Sequence, residues 1–249
     1  MAVAMINSCA TIYQFPADRW NDNKKNTKRT YAIGKSNLTD CLHSAEEIKA
    51  VYDVFTNKVI EAKSKSKQKI ALRNLTMFVC AINIGLRGGD FCSLRWGDIM
   101  DEKWNFKLNP DFVPEKTKHA HKHVKLSWNS DFEAAMHDWL TYCKETGDIS
   151  LNDYIFQSQK STNNHMCREQ FGRIIEDTRK EAGIRQRICT HGCRKTMGNR
   201  YYKESGHQDA LTEMNGCLNH ASQRTTSQYL CIEQERINEG KENTAFLYK

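Results

Sequence analysis

The sequence lacks any apolar run long enough to cross a membrane. Its longest strongly apolar window, Leu75 to Leu86, contains Asn83 and is far shorter than the roughly 20 residues that a membrane helix needs. The N-terminus also lacks a secretory leader, because no charged stretch is followed there by an apolar stretch and a small-residue cleavage site. These absences argue against a membrane role and predict a cytoplasmic protein.

The lack of a leader decides how the cysteines are interpreted. Ten cysteines in a short secreted chain would predict a disulfide framework. In a cytoplasmic protein most of them are expected to be reduced and buried, because free cysteine packs as a small apolar side chain.

The chain also lacks internal repeats and low-complexity tracts. Its 249 residues, 39% of them hydrophobic, can supply the core of one large domain or two small ones. Lys and Arg outnumber Asp and Glu by 37 to 30, which gives a net charge of +7. This excess weakly favours a polyanionic partner such as nucleic acid.

Residues 1–42 and 43–249 are expected to differ in organisation. The first segment lacks sustained periodicity and contains a polar, basic run from Asn21 to Arg29. It is interpreted as a basic arm or an incomplete small element, with a solvated tail as the alternative. The main domain begins with a helix after the N-cap Ser44, and its apolar side chains share one face. These side chains are Ile48, Val51, Tyr52 and Phe55.

Helical patterns dominate the main domain. Apolar residues at intervals of three and four predict a buried helix over 70–84 that ends at Gly85. Arg87 then follows directly after a helix that the core holds in place. One short amphipathic helix is predicted from Asp90 to Ile99. Others are predicted over 132–142, 167–182, 193–205 and 210–215, with Gly183 and Gly206 as stops.

The segment from Lys103 to Ser127 is predicted to form a small antiparallel sheet around a Lys- and His-rich connection. The alternating apolar residues are Trp104, Phe106 and Leu108, and later Val124 and Leu126. Because helical patterns occupy the rest of the domain, the predicted fold class is α+β and mainly α.

Two groups of residues have side chains that bind zinc, but neither has a clear second pair at zinc-finger spacing. The groups are His119, His121 and His123, and Cys189, His191, Cys193 and Cys217. Alternate residues of a strand share one face, so a polar or DNA-facing edge explains the histidines more simply. For the cysteines, packing as small apolar residues is favoured, with an oxidation-sensitive Cys193 as the alternative. No metal site is predicted.

Short motifs in the last quarter of the chain contain what is needed to break a phosphodiester. Such a cleavage needs a nucleophile, cations for the phosphate oxygens and an acid for the departing 5′-oxygen. Tyrosine can attack if a neighbour accepts its proton, since its ordinary pKa is about 10. Arginine is always charged and can bind two oxygens at once. The motifs are His191-Gly-Cys-Arg194, Leu218-Asn-His220 and Gln228-Tyr229-Leu230, with Gly85-Leu-Arg87 upstream.

The stretch from Gly85 to Ile99 strongly resembles the first arginine box of the tyrosine recombinases, the phage integrase and Xer-like family. The second box of that family places a His-x-x-Arg pair before Leu-Gly-His, with the tyrosine nine residues after that histidine. This chain has His191-x-x-Arg194, Leu-Asn-His220 and Tyr229, and the nine-residue interval agrees.

The resemblance implies one role for each matching residue. Arg87 and Arg194 resemble the arginines that clamp the phosphate, and Tyr229 resembles the nucleophile that forms a 3′-phosphotyrosyl bond. His191 matches the assisting base, and His220 matches a hydrogen-bond donor to the phosphate. The resemblance implies no metal and no cofactor.

Three further positions depend on the same resemblance. The family's catalytic lysine lies in a β-hairpin between the boxes, where Lys116 fits best and Lys118 is the alternative. Asp90 matches an acidic position expected to support the first arginine. Asn219 replaces the family's usual glycine, and asparagine tolerates left-handed backbone better than most residues.

The resemblance implies a tyrosine-recombinase catalytic fold of the DNA breaking-rejoining type over residues 43–249. Residues 1–42 are too few for the separate DNA-clamping domain of larger members, so the chain resembles compact single-domain ones. The implied function is site-specific recombination of double-stranded DNA by a homotetramer on paired sites, with accessory DNA-bending proteins as optional partners. The alternatives are a type IB topoisomerase-like activity and an inactive DNA-binding or regulatory relative. The tail after Tyr229 docks on a neighbouring protomer or on its own domain, through Leu230, Ile232, Ile237 and Phe246.

Overall fold

The computed structural model describes residues 39–116, 123–159, 161, 164–230 and 232–243, without the side chains of 233–236, 239 and 242. Several predictions fall outside these residues and are not taken further: those for residues 1–38, for Lys118, His119 and His121, and for Phe246.

The described chain is mainly helical, with one short antiparallel pair of strands, which confirms the predicted fold class. In order, the elements are α1 (Ala45–Ile60), α2 (Lys65–Ile84), α3 (Gly88–Cys92), α4 (Trp96–Ile99), β1 (Asp111–Phe112), β2 (Val124–Lys125), α5 (Ser130–Thr146), α6 (Arg168–Glu181), α7 (Thr190–Glu204), α8 (Ala210–Cys217), α9 (Gln223–Tyr229) and α10 (Ile232–Asn243).

Helix α1 begins as the sequence predicts. The Ser44 side chain accepts a hydrogen bond from the backbone N–H of Glu47 at 3.3 Å, which satisfies one of the unpaired donors of the first turn. The apolar face of the helix is buried against α2. The packed chain already begins before this cap, because Leu42 is buried in the large core cluster.

Helix α2 is the central element of the domain. It begins at Lys65, five residues before the predicted start, because Ser64 acts as an N-cap and accepts from the N–H of Lys67. It packs against α1, α5 and α7 and ends as predicted at Gly85, whose φ of 71° is the left-handed value that favours glycine. The loop carrying Arg87 is thus fixed by the most buried helix.

The prediction of one helix from Asp90 to Ile99 is wrong. The segment forms α3 and α4, separated by an extended stretch in which the Leu94 carbonyl accepts the N–H of Ile155 at 2.9 Å. The Asp98 carboxylate accepts the N–H of Arg95 at 2.7 Å and so begins a new helix. Pairing with a distant segment therefore takes precedence over the local helical periodicity.

The sheet is smaller than predicted. Strands β1 and β2 are antiparallel, with Asp111 opposite Lys125 and Phe112 opposite Val124. Residues 104–108 do not form a strand: Trp104 has a φ of 64°, Leu108 is 92% exposed, and only Phe106 makes a bridge, to Met100. A tight turn after α4 breaks the apparent alternation.

The later helices agree with the predicted segments within a few residues. Helices α5 and α7 begin at Ser130 and Thr190, slightly before the predicted starts at 132 and 193. Gly183 and Gly206 both have a φ of 73° and follow α6 and α7 as predicted stops. Helices α9 and α10 were not predicted. Ser222 caps α9 by accepting the N–H of Thr225 at 3.2 Å. The helix was not predicted because no apolar periodicity follows this serine.

Apolar side chains form two separate clusters. The large cluster spans α1 to α6 and the start of α7. The small one consists of Met214, Leu218, Leu230 and Ile232, which packs the beginning of the C-terminal tail on its own domain, whereas Ile237 is 48% exposed. In the part of the chain that the structure describes, no helix has the length and apolar character needed to cross a bilayer.

Candidate active site

Helix α7 is the base of the candidate site. Its first turns carry His191, which is exposed, and Arg194 and Lys195, which are 5% and 8% exposed. The segment before α1 lies along this helix: the N–H of Cys189 donates to the Thr39 hydroxyl, and Nζ of Lys195 donates to the Thr39 carbonyl at 2.8 Å. Burial and these contacts fix the direction of the helix and of the arginine on it.

Arg87 is brought to α7 by the absence of a side chain at Gly88. A Cβ at position 88 would lie 2.6 Å from Cβ of Thr190, closer than real contacts allow, so glycine permits the loop to approach the start of α7. Arg87 itself is half-buried and begins α3, where its carbonyl accepts the N–H of Phe91 at 2.8 Å. The two arginines consequently come near enough for the charge of Arg87 to lower the pKa of Arg194.

Asp90 connects the first arginine box to the turn that carries Lys116. Its carboxylate is 5% exposed and accepts the backbone N–H of Glu115 at 3.0 Å. The same carboxylate acts on the charge of Arg194. The prediction that Asp90 supports Arg87 is untested, but the structure shows a use that the sequence did not predict: it anchors the backbone next to an exposed lysine.

The end of α8 presents His220 through a Schellman turn. The N–H of Asn219 donates to the carbonyl of Gly216 at 3.0 Å, and the N–H of His220 donates to the carbonyl of Asn215 at 3.1 Å. Asn219 has the left-handed φ of 50°, so asparagine adopts the conformation expected of the family's glycine. The carbonyl of Leu218 accepts from Nη2 of Arg194 at 2.6 Å, which joins this turn to α7.

Tyr229 is the last residue of α9 and lies against His220. The two rings are 4.9 Å apart in an edge-on arrangement. The hydroxyl oxygen is buried and makes no hydrogen bond of normal geometry with a described residue. The Arg194 guanidinium is nevertheless close enough to favour the phenolate. A buried hydroxyl without a hydrogen bond, placed beside cations, is typical of a group that interacts with a bound anion.

The backbone after Tyr229 is held on α7. Nδ2 of Asn199 donates to the carbonyl of Leu230 at 3.0 Å, and Leu230 is fully buried. A Cβ at Gly198 would lie 2.7 Å from the Leu230 side chain, so glycine is needed for this approach. Position 229 is thus fixed from both sides.

Burial and positive charge have opposite effects on the pKa of the Tyr229 phenol. Burial raises the pKa of Tyr229 to about 12, and the positive charges of Arg194 and Arg87 offset part of that rise. Burial also lowers the pKa of Arg194, while the phenol of Tyr229 raises it. Two positive charges, those of Arg194 and Arg87, therefore act on the Tyr229 hydroxyl.

Both histidines have pKa values below the ordinary one for histidine. Desolvation lowers the pKa of His220, and the charges of Arg194 and Arg87 lower it further. Desolvation and the cations Arg194, Arg168, Lys195 and Arg87 do the same to His191. At neutral pH the two imidazoles are accordingly uncharged and can accept a proton.

Of the six predicted site residues, the charges of Arg87 and Arg194 act on the pKa values of three others, His191, His220 and Tyr229. Lys116 is exposed, and its neighbour Glu115 donates its N–H to Asp90. Sequence reasoning missed Lys195, whose Nζ lies 5.1 Å from the centre of the Tyr229 ring, and it missed Thr226 and Asn215. Lys195 directly follows the predicted Arg194, but no motif singled it out.

One group in the described residues has donors spaced as in a metal site. Asp40, Cys41 and His43 bring their ligand atoms within 4.8 Å of one another. However, Oδ1 of Asp40 already bonds Nε2 of His43 at 3.0 Å and the N–H of Cys41 at 2.8 Å. These hydrogen bonds explain the close spacing of the three residues as local structure of the segment before α1.

The described cysteines are free thiols. Cys193 lies in the large core cluster, and burial raises its pKa well above the ordinary value, as expected of a packing residue. Cys217 and Cys189 are half-buried, and Cys167 is exposed.

Solved structures with a similar fold are DNA recombinases. XerA recombinase is 18% identical with a TM-score of 0.59, over 87% of this chain and 68% of that one. XerH recombinase in a post-cleavage complex with palindromic difH is 17% identical with a TM-score of 0.60, over 86% and 55%. The Tn1549 transposon integrase with circular intermediate DNA is 14% identical with a TM-score of 0.50, over 80% and 62%. At these identities the likeness shows the fold alone.

Sequence comparison gives the family. No curated protein matches the chain significantly. The model of the phage integrase family matches residues 44–236, which include both arginines, both histidines and the tyrosine of the site. The match covers well over half of the sequence, and we conclude that the chain belongs to the phage integrase family.

Proposed function

We propose that the protein is a site-specific DNA recombinase that cleaves and rejoins DNA through a 3′-phosphotyrosine intermediate at Tyr229. The observation that carries the proposal is the buried Tyr229 hydroxyl, which has no hydrogen-bond partner among the described residues and lies beside Arg194, Arg87 and His220. A phosphate bound there would supply the missing negative charge.

Phosphate binding is the role of Arg87 and Arg194. Their guanidiniums are close enough to repel each other, and an anion between them removes that repulsion while accepting hydrogen bonds from both. Charge that develops on the phosphate oxygens during attack is stabilised by the same donors, which are fixed in place before the reaction. Binding and catalysis therefore use one pair of side chains.

Attack on phosphorus requires that Tyr229 lose its proton. His191 is neutral at pH 7 because its pKa is lowered, so it can accept that proton as the assisting base. The phenolate oxygen then forms a bond to phosphorus as the bond to the 5′-oxygen breaks. Lys116 donates the proton that the departing 5′-oxygen takes up, from the turn that Asp90 anchors.

The reverse step completes strand exchange. A 5′-hydroxyl of a partner duplex attacks the phosphotyrosine, and Tyr229 leaves and regains a proton. The cycle needs no cofactor, because the ester conserves the energy of the broken bond. Exchange between duplexes requires two paired sites, for which we propose a homotetramer on double-stranded DNA, aided by the basic residues 1–42 and by accessory DNA-bending proteins. XerH and the Tn1549 integrase are the similar proteins seen with DNA.

Trapping on nicked suicide duplexes tests the proposal. The duplexes carry the sequences that flank the gene, since a mobile element would place its sites there, and the nick releases a short fragment that prevents religation. The wild-type protein is expected to form a covalent adduct, whereas Tyr229→Phe binds the same duplex without forming one.

Two results would favour the alternatives. DNA binding without an adduct from the wild type indicates an inactive relative. An adduct together with relaxation of supercoiled plasmid, and no products that depend on paired sites, indicates a topoisomerase-like activity.

A further inference from the structure

Thr226 joins His220 to Asn215 in a row of polar side chains, of which Thr226 is buried and the other two are half-buried. Its hydroxyl oxygen lies 3.1 Å from Nδ1 of His220 and 2.8 Å from Oδ1 of Asn215, and the residue is 0% exposed. No motif predicted Asn215 or Thr226. The direct contact of Thr226 with a ring nitrogen of His220 is that of a group that orients a ring.

Counting protons gives the direction of both bonds. A threonine hydroxyl has one proton to donate, and the amide oxygen of Asn215 can only accept. The hydroxyl proton therefore goes to Asn215, and the hydroxyl oxygen accepts the Nδ1–H of His220. The carbonyl of Ser222, 3.4 Å from the same hydroxyl, is also only an acceptor and does not change the assignment.

We propose that Asn215 and Thr226 are positioning residues that hold His220 in the tautomer with its proton on Nδ1, which leaves Nε2 as the atom that meets the DNA phosphate. The inference rests on the proposed function and adds the protonation state of His220 to it. A neutral Nε2 can only accept a hydrogen bond. His220 therefore donates to a phosphate oxygen only as the imidazolium.

The backbone supports the same orientation. The carbonyl of Asn215 accepts the N–H of His220 at 3.1 Å, so Asn215 holds this residue directly through its backbone and indirectly through its amide. The left-handed Asn219 fixes the turn between them. Rotation of the imidazole would break the bond to Thr226 and leave a fully buried hydroxyl oxygen without its donor.

The charged and titratable groups that act on His220 come from three places in the fold. Desolvation is the main cause that lowers its pKa, and the charges of Arg194 of α7 and Arg87 before α3 lower it further. The Tyr229 ring of α9 packs against it. A phosphate between the arginines offsets their charge and permits His220 to bind a second proton. Cleavage is therefore expected to slow as the pH rises through the pKa of His220 in the DNA complex.

The tautomer can be measured without DNA. Thr226→Val removes the hydroxyl and keeps the shape of the side chain, whereas Thr226→Ser keeps the hydroxyl. Correlation spectra of ¹⁵N-histidine-labelled protein at about pH 8, above the ordinary histidine pKa of about 6.5, report which ring nitrogen is protonated, and His220→Gln identifies the relevant signals. The wild type and Thr226→Ser are expected to show the proton on Nδ1, and Thr226→Val to lose this preference.

Cleavage on the suicide duplex provides the second readout. Thr226→Val is expected to slow adduct formation about tenfold to a hundredfold, the range typical for partners that orient a functional side chain, and Thr226→Ser to restore most of it. Asn215→Asp places a carboxylate next to the Thr226 hydroxyl that contacts His220. Its negative charge stabilises the imidazolium of His220. This variant is expected to remain active to higher pH than the wild type.

The outcomes separate the two proposals. A wild-type His220 protonated on Nε2, or a Thr226→Val spectrum identical to the wild type, overturns the positioning role even if the enzyme is active. An equal cleavage rate and pH profile in Thr226→Val does the same. Absence of an adduct from every variant, with the expected tautomer present, overturns the recombinase function instead.

Discussion

The two halves of the candidate site are supported by packing of different depth. Arg87 and Arg194 are attached to the large core cluster through α2, α3 and α7, whereas His220 follows the short helix α8 and Tyr229 ends the short helix α9, on a cluster of four buried apolar residues. Local stability generally follows the amount of buried apolar contact. The arginines are therefore held by the global fold, while Tyr229 is held by a segment that can open at lower cost.

A few specific contacts join the two halves. Arg194 donates to the carbonyl of Leu218, and Asn199 donates to the carbonyl of Leu230. Both acceptors are backbone atoms next to a functional residue of the second half. We expect α7 to align Tyr229 with the proposed phosphate site, and the following variants test this by disturbing both halves together or one half alone.

The largest effect is expected from Arg194→Ala. The variant removes a donor to the phosphate and also leaves the Leu218 carbonyl without its partner, so both halves are disturbed. The loss of one preorganised donor typically slows a reaction about a hundredfold to a thousandfold, and adduct formation should fall by at least that much. Arg87→Ala should cause a similar loss with the C-terminal turn intact. Normal cleavage by either variant would remove that arginine from the site.

Gly88→Ala should slow cleavage by about tenfold or more, because displacement of a catalytic group by even 1 Å can cost a hundredfold. A Cβ here would meet Thr190 at 2.6 Å and push the Arg87 loop away from α7. Gly89→Ala is the matched control, since nothing lies within 4 Å of its Cβ position. Equal rates for the two variants would contradict the role of this close approach.

Leu230→Ala should weaken the nucleophile half selectively. Removing a buried leucine side chain typically costs about 2–5 kcal/mol, and Leu230 is fully buried in the small cluster. Hydrogen exchange should accelerate in α8, α9 and α10 and stay unchanged in α2. Faster exchange in α2 as well would show that the two halves unfold as one unit.

The smallest effect concerns stability and pH. The pKa values of His191 and His220 are lowered in the folded protein, so the unfolded chain binds more protons just below the ordinary pKa of about 6.5. The free energy of unfolding should therefore be at its full value above that pH and decrease as the pH falls below it. Denaturant titrations across this range should show a shallower decrease of the free energy of unfolding with falling pH in His220→Gln. An unchanged slope would show that His220 does not contribute to this pH dependence.

Local patterns predicted the parts of the fold that depend on neighbouring residues. The N-cap at Ser44, the stop at Gly85 and the left-handed Asn219 were all predictable, because the first depends on the side-chain oxygen of one residue and the others on the backbone preference of one residue type. The alternation at Trp104 to Leu108 was misleading, since a turn after α4 sets the backbone there. The continuous helix from Asp90 to Ile99 failed because the N–H of Ile155, in a distant segment, donates to the carbonyl of Leu94.

The sequence alone determined which residue types stand at Arg87, His191, Arg194, His220 and Tyr229, and the spacing that marks the family. Only the tertiary structure decided what surrounds them: the burial of the Tyr229 hydroxyl, the use of Asp90 to anchor the turn at Glu115, and the row from Asn215 through Thr226 to His220. The reason is physical. A motif depends on local spacing, whereas burial and hydrogen-bond partners depend on which distant segments pack together.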